Sequence, residues 1–183
     1  MLGREHAVFG LTTSAAVSVA YFAPEFFVPT VACGFLGALL PDIDLPTSTI
    51  GKITYPIAWL INKFFGHRTI THDPILWIPI GIFLLWKFHY AWVAGLVIGY
   101  WGHLFLDSFT AGGIPILWIL RKYKKGFHLL PYKWKIYASS LSAKVISILL
   151  SMVISALILF VGMVSKTANI NKIFSTIIKC LDI

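Results

Sequence analysis

The sequence predicts an all-α integral membrane protein, a bundle of about five membrane helices with one further helix at the membrane interface. Three observations support this fold class. Hydrophobic residues make up 58% of the 183 residues, and the mean hydropathy is +0.83. Only 12% of the residues are charged, whereas soluble domains carry about 25%. The hydrophobic residues also fall into long runs, so the bilayer is the solvent that suits this chain.

The first half of the chain contains two apolar runs and an amphipathic segment. Residues 7–23 are rich in Ala, Ser and Thr, the small residues that allow membrane helices to approach closely. The second run, residues 26–40, ends at a proline. After a polar stretch, residues 55–65 combine apolar residues with a tryptophan and a lysine, which favours an interfacial helix.

Three more apolar runs follow in the second half of the chain. Residues 74–88 are short for a full membrane span. Residues 90–109 have a good length for a hydrocarbon core of about 30 Å. A basic loop over residues 111–143 separates this run from residues 145–164, which form the cleanest predicted span. No internal repeat or low-complexity stretch interrupts this pattern.

Residues 1–165 are expected to form a single membrane-embedded domain, followed by a polar tail over residues 166–183. Basic residues orient this domain, because cytoplasmic segments of membrane proteins carry an excess of Lys and Arg. With a cytoplasmic N-terminus, four basic residues lie outside, namely Lys87, Lys166, Lys172 and Lys179. Eleven lie inside, namely Arg4, Lys52, Lys63, Arg68, Arg121, Lys122, Lys124, Lys125, Lys133, Lys135 and Lys144. We therefore expect a multi-pass protein of the cell (inner) membrane with a cytoplasmic N-terminus.

The formal net charge of +8 points to lipid as the partner of the basic residues. Because the cations flank apolar runs, they are suited to contact anionic head groups. Lys122, Lys124 and Lys125 are interpreted as a cluster that faces lipid. Nucleic acid is not an expected partner, and the sequence leaves the oligomeric state open.

The few ionisable residues of the apolar chain collect at one membrane face in this topology. His6 precedes the first predicted span, Asp42 and Asp44 follow the second, and His103 and Asp107 lie in the last turns of the fourth. A further group precedes the third span and consists of His67, Arg68, His72 and Asp73. All of these residues are expected on the cytoplasmic side, where they form a candidate site.

His103 and Asp107 carry the most weight because they lie inside an apolar run. A spacing of four places both on one helix face, about 5–6 Å apart at Cβ, close enough to share a metal ion. Ionisable groups within a membrane span need a partner or a function. The alternative is a hydrogen bond between them that fastens two helices.

Asp42 and Asp44 form the second element, directly after Pro41. In an extended backbone both side chains point to the same side, where two carboxylates can hold one or two divalent ions. The alternative is a turn at a helix end in which the aspartates only cap.

Residues 66–73 form the third element. The spacing of His67 and His72 suits a loop or turn better than one face of a helix. Arg68 between them has the geometry to bind a phosphate group with two hydrogen bonds. Asp73 precedes a proline and is interpreted as the N-cap of the next helix, with metal binding as the alternative. His6 is weak evidence alone and becomes a plausible ligand beside the others.

These residues resemble the motifs of the YdjM-like family, membrane-bound, LexA-regulated inner-membrane proteins predicted to be metal-dependent hydrolases. The resemblance is carried by LLPDIDLPTSTIG at residues 39–51, GHRTITH at 66–72 and GYWGHLFLDSFTAGGIPILW at 99–118. His6 fits as well, and the resemblance covers residues 1–120. Two positions depart from the family pattern: Asp73 stands where Ser is usual, and Gly102 where Ser is common.

The resemblance implies a helical membrane protein with metal ligands at His6, Asp42, Asp44, His67, His72, His103 and Asp107. Mixed His and Asp ligands suit one or two divalent ions, with zinc or manganese favoured. The expected activity is hydrolysis of a phosphoester in a lipid or amphiphile. In this interpretation Asp42, Asp44 or Asp107 acts as the base, and Arg68 stabilises the phosphate charge.

The alternative function is that of a non-catalytic membrane protein whose metal site is structural, regulatory or involved in ion handling. A transport pathway is disfavoured, because it needs polar groups in the middle of several spans. A structural metal site closes around its ion, whereas a catalytic site keeps one position open. The shape of the site therefore discriminates between the two functions.

Overall fold

The computed structural model describes residues 3–116, 127–129, 136–137 and 140–167. Within these ranges every named element is helical. The α-helices are α1 (Gly3–Tyr21), α2 (Phe27–Leu39), α3 (Thr49–Ile53), α4 (Tyr55–Phe65), α5 (Pro74–Phe88), α6 (Ala91–Ser108) and α7 (Leu141–Thr167). Short 3-10 helices cover Pro24–Phe26, Leu40–Asp44 and Ile70–His72. The predicted all-α class is thus confirmed.

Helix α6 lies at the centre of the fold, where it packs against α1, α2 and α5, while α7 packs along α1. A buried apolar cluster joins Phe9 of α1, Leu106 of α6 and Ala143 of α7 to Ile136. This cluster lies near the C-terminal end of α6, so it supports the helix turns that carry His103 and Asp107.

Glycines bring α2 and α6 into backbone contact. A methyl group at Gly37 would lie 2.1 Å from the carbonyl oxygen of Leu96, and one at Gly99 would lie 2.1 Å from the carbonyl oxygen of Gly34. No side chain fits at either position, which is the use that membrane helices make of small residues. His103 lies one turn beyond Gly99, so this contact sets how closely His103 approaches α2.

Local sequence signals explain the ends of the helices that frame the candidate site. Ser48 caps α3 by accepting a hydrogen bond from the backbone N–H of Gly51 (2.9 Å). Asp73 caps α5 by accepting one from the N–H of Ile75 (3.0 Å), and a proline occupies the first turn. The interpretation of Asp73 as an N-cap is confirmed.

Helix α4 presents its apolar side chains outward. Ile57, Trp59 and Phe64 are 54%, 47% and 68% exposed, whereas Ala58 is fully buried on the side that packs against the 3-10 helix Leu40–Asp44. The Lys63 ammonium lies 4.7 Å from the centre of the Trp59 ring. The predicted helix over residues 55–65 is thus present with an exposed apolar surface beside a cation, and its place at the membrane interface stays a prediction.

Two helical stretches of the described chain are long and apolar enough to cross a membrane, Pro24–Asp44 and Leu141–Lys166. Pro74–Phe88 is apolar but shorter. The count of five membrane helices therefore stays a prediction. The predicted lipid-facing cluster of Lys122, Lys124 and Lys125 and most of the polar tail lie outside the described residues.

We expect Gly99→Ala to destabilise the bundle, because the added methyl group forces α2 and α6 apart. Overpacking of this kind costs about 1–3 kcal/mol. The measurement is thermal unfolding of the purified protein in detergent. Gly3→Ala is the matched control, since a methyl group there would lie 3.8 Å from its nearest neighbours, the side chains of Leu39 and Thr49. Equal unfolding temperatures for the two variants would contradict the close contact between α2 and α6.

Candidate metal centre

Four segments bring the predicted site residues to one place. His6 comes from the start of α1, and Asp42 and Asp44 come from the 3-10 helix Leu40–Asp44, here named the aspartate turn. His103 and Asp107 come from the end of α6. The histidine loop, residues 66–73 between α4 and α5, contributes His67, Arg68 and His72. Residues far apart in sequence thus become neighbours.

Five of these residues form an inner ring, defined as His6, Asp42, His72, His103 and Asp107. The side chains of His6, His72, His103 and Asp107 are at most 1% exposed, and that of Asp42 is 15% exposed. The Nε2 atoms of His72 and His103 lie 3.8 and 3.6 Å from Asp42 Oδ1. Both also lie 3.8 Å from Asp107 Oδ2. His6 Nε2 lies 3.2 Å from Asp107 Oδ1.

The inner ring fits a metal ion. Among the described residues, the Nε2 atoms of His6, His72 and His103 are buried without a hydrogen bond of acceptable geometry. A buried polar atom in that state costs about 1–3 kcal/mol. In tetrahedral metal sites with bonds of about 2.0–2.2 Å, ligand atoms lie roughly 3.3–3.6 Å apart, close to the spacings in this ring. The buried His and Asp groups can therefore hold a metal ion.

Hydrogen bonds to the Nδ1 atoms of His72 and His103 fix which nitrogen of each imidazole faces the centre of the inner ring. His103 Nδ1 lies 2.7 Å from the carbonyl oxygen of Ala38, which can only accept. His72 Nδ1 lies 2.9 Å from Thr71 Oγ1, whose hydroxyl donates to Asp44 Oδ2 at 2.6 Å. Both Nδ1 atoms therefore carry hydrogen, and each Nε2 presents its lone pair to the ring. Metal-binding histidines commonly have such partners.

Asp44 has a different environment from the inner ring. It is fully buried, and Oδ1 accepts a hydrogen bond from His67 Nδ1 at 2.7 Å. Oδ2 accepts from the Arg68 backbone N–H at 2.9 Å and from the Thr71 hydroxyl at 2.6 Å. Its backbone carbonyl accepts from the Asn62 side chain at 2.8 Å. Asp44 thus fastens the histidine loop and α4 to the aspartate turn.

The expectation of an extended backbone at Asp42 and Asp44 is wrong, although their carboxylates lie close enough to share an ion together with His67. Residues Leu40–Asp44 form a 3-10 helix with Pro41 near its start. A 3-10 helix has three residues per turn, so the side chains at positions i and i+2 point in different directions. As a result Asp42 faces the inner ring while Asp44 faces the histidine loop.

Arg68 is held at both ends beside the inner ring. Its φ of 57° is left-handed, a conformation stabilised here by the bond from its N–H to Asp44. Its guanidinium NH2 lies 2.6 Å from Asp107 Oδ2, and NH1 lies 3.3 Å from Thr110 Oγ1. Gly112 leaves room for the guanidinium, since a side chain there would collide with NH1. Asp107 therefore has both an inner-ring and an arginine partner.

A cavity of about 310 Å³ adjoins the site between the start of α1, the aspartate turn and α3. Asp42, His67 and Arg68 line it. It is the side from which a molecule could approach the inner ring, because Asp42 is the most exposed member of that ring.

Sequence reasoning missed several residues that shape the site. The Thr71 hydroxyl and the Ala38 carbonyl hold the imidazoles, and His128 Nδ1 lies 3.0 Å from the carbonyl oxygen of Thr110 beside Arg68. Thr71 could have been found within the motif of residues 66–72. A backbone carbonyl such as that of Ala38 leaves no sequence signal.

The fold and the site define a helical protein with two helices long and apolar enough to cross a membrane and with buried His and Asp groups that can hold a metal ion. Comparison with known proteins then gives the family. The YdjM inner membrane protein family matches residues 1–169, and the chain belongs to it. Family membership and the two apolar helices indicate a membrane location.

Three relatives show how far the similarity extends. The chain is 36% identical to the uncharacterized protein YvsG of Bacillus subtilis over 120 residues, which are 64% of this chain and 72% of YvsG. It is 34% identical to the inner membrane protein YdjM of Escherichia coli over 97 residues, half of each chain. YdjM of Shigella flexneri matches to the same extent. No solved structure matches the chain.

We expect His103→Ala to lower the amount of bound metal while the helices remain folded. The substitution removes an inner-ring nitrogen and leaves the Ala38 carbonyl without its partner. Metal analysis of the purified protein, with circular dichroism as the check on folding, measures this effect. His89→Asn is the matched control, because His89 is exposed at the end of α5. Equal metal content in the two variants would make the His103–Asp107 pair a helix fastener.

Proposed function

We propose that this protein is a membrane-bound metal-dependent hydrolase that cleaves a phosphoester in a lipid or another amphiphile at the cytoplasmic face. One observation carries the proposal. A buried ring of three imidazole nitrogens and two carboxylates adjoins a cavity lined by an arginine. This combination joins a place for a metal ion to a place for a phosphate group.

The inner ring is the proposed site of the ion. Mixed nitrogen and oxygen ligands favour zinc or manganese. Such an ion, when bound, activates water near neutral pH and polarises a phosphoryl oxygen. We propose one ion, held in the inner ring, because the Nε2 atoms of its histidines lack hydrogen-bond partners among the described residues, whereas His67 Nδ1 and Asp44 Oδ1 already face each other at 2.7 Å.

The residues around the cavity bind the phosphate of the substrate and position the histidine loop in this proposal. Arg68 can bind the phosphate of the substrate through a planar guanidinium that is always charged. Its bond to Asp107 and its backbone bond to Asp44 fix its place before the substrate arrives. Preorganised charge of this kind stabilises a transition state without further rearrangement. Asp44 positions the loop and is not the base in this proposal.

An amphiphilic substrate follows from the surroundings of the cavity. Helix α4, which exposes apolar side chains beside a lysine, packs on the aspartate turn that forms one cavity wall. We propose that α4 lies in the membrane interface and that α1, α2, α5, α6 and α7 cross the membrane. A phosphate at head-group depth then meets the cavity, which favours a phospholipid or a polyprenyl phosphate as substrate.

A non-catalytic metal protein is the second candidate. The observation that favours it is the nearly complete burial of His6, His72 and His103, as in closed structural sites. The exposure of Asp42 into the cavity favours the hydrolase instead. The two candidates differ in whether the metal-loaded protein turns over a substrate.

We expect the purified protein to contain a divalent metal and to release phosphate or alcohol from a phosphorylated lipid. Metal analysis, followed by a screen of phospholipids and polyprenyl phosphates with and without a chelator, measures both. Activity should disappear with the chelator and return when the metal is restored. Bound metal without turnover of any substrate in the screen would favour the non-catalytic candidate.

We expect Arg68→Ala and Arg68→Lys to keep the metal and to lose turnover by roughly 10²–10³, the range found when one preorganised donor is removed. A lysine keeps the charge but cannot reproduce the planar bidentate contact. The assay is lipid phosphoester hydrolysis with parallel metal analysis. Lys63→Ala is the control, since that ammonium lies over Trp59. Loss of metal together with activity would make Arg68 a structural residue, and full activity would remove it from phosphate recognition.

A further inference from the structure

His67 differs from the three histidines of the inner ring. Its side chain is 32% exposed, whereas those of His6, His72 and His103 are at most 1% exposed. It also lines the cavity together with Asp42 and Arg68. His67 therefore borders the cavity, and its ring also lies edge-on to that of His72, with the ring centroids 5.5 Å apart.

Asp44 fixes the orientation of the His67 ring. His67 Nδ1 lies 2.7 Å from Oδ1 of Asp44, and that carboxylate is fully buried. The other oxygen is held by the Arg68 N–H and the Thr71 hydroxyl, so the carboxylate cannot turn away. An ionised carboxylate only accepts, which places a hydrogen on Nδ1, so that in the neutral imidazole the lone pair is on Nε2. Nε2 lies on the edge of the ring that points away from Asp44.

We infer that His67 is the proton-transfer residue of the proposed hydrolase and that Asp44 is its positioning residue. This inference rests on the proposed function. Water attacks phosphorus, and its proton passes to His67 Nε2 as the new P–O bond forms. The departing alcohol oxygen, on the far side of phosphorus, takes its proton from solvent water as the ester P–O bond breaks, and Nε2 then releases its proton to solvent. Water and phosphoester thus give phosphate and alcohol, and His67 returns to its starting state.

The same contacts argue against His67 as a metal ligand. Asp42, Asp44 and His67 also have ligand atoms close enough to hold an ion, which is the competing role. In that role Asp44 would have to exchange hydrogen bonds from a histidine, a backbone N–H and a hydroxyl for a metal bond. The inner ring already offers five donor groups, more than the three or four that protein zinc sites use.

The first test compares His67→Ala and His67→Gln with His103→Ala in the full-length protein, and His89→Gln serves as the matched control. We expect both His67 variants to keep the metal that His103→Ala loses, and to lose turnover by about 10²–10⁴, the typical contribution of general acid–base catalysis. Added imidazole should restore part of the activity of His67→Ala, because it fits the space left by the removed side chain. It should restore no activity to His67→Gln, in which the glutamine fills that space. Loss of metal from His67→Ala, or full turnover without His67, would overturn the inference.

A second measurement does not need an active enzyme. Nitrogen NMR of ring-labelled histidine in the purified protein reports the tautomer and any metal bond of each imidazole. We expect His67 to carry its hydrogen on Nδ1 both with zinc and after chelation, while the signals of His103 change. Asp44→Asn should lower the fraction of the Nδ1–H tautomer of His67. A zinc-dependent change in the nitrogen chemical shift of His67 Nε2 would overturn the inference even if no substrate were hydrolysed. A protein that shows the expected tautomer but hydrolyses no substrate would contradict only the proposed hydrolase function.

Discussion

The buried carboxylate of Asp44 is the interaction on which the arrangement of the site depends. It accepts hydrogen bonds from His67, the Arg68 backbone and Thr71, and its own carbonyl accepts from Asn62. A charged carboxylate in a buried position is tolerated only with such partners. The histidine loop has little regular structure of its own, so these bonds are what give it one conformation. Through them the position of α4 is tied to the position of the imidazoles.

The second constraint is the backbone contact between α2 and α6. Because no side chain fits at Gly37 or Gly99, the two helices meet closely enough for His103 Nδ1 to reach the Ala38 carbonyl at the end of α2. The small residues thus act twice. They provide the packing that membrane helices need in the absence of a hydrophobic driving force, and they set the direction of an imidazole in the inner ring.

The sequence was sufficient to predict the all-α class and the meeting of His6 with residues of the three motifs. Both follow from the order of the apolar runs, since alternate run ends meet at the same membrane face. The conformation of the aspartate turn was not predictable in this way, because a Pro-Asp segment suits an extended chain and a 3-10 helix equally well. The bond between Arg68 and Asp107 was also missed. It depends on a left-handed residue and on space left by Gly112, and neither follows from spacing.

The acidic residues of the site lie in two different environments, which suit them to different roles. Asp42 and Asp107 face imidazole nitrogens that lack hydrogen-bond partners among the described residues, a setting that a cation stabilises. Asp44 faces only hydrogen-bond donors and already has enough of them to remain charged. One turn of 3-10 helix produces this difference, because it brings Asp42 beside the inner-ring histidines and Asp44 beside His67. Asp42, which can hold a metal ion with inner-ring histidines, and Asp44, which orients His67, therefore belong to the same short segment, and Asp42 and His67 both line the cavity.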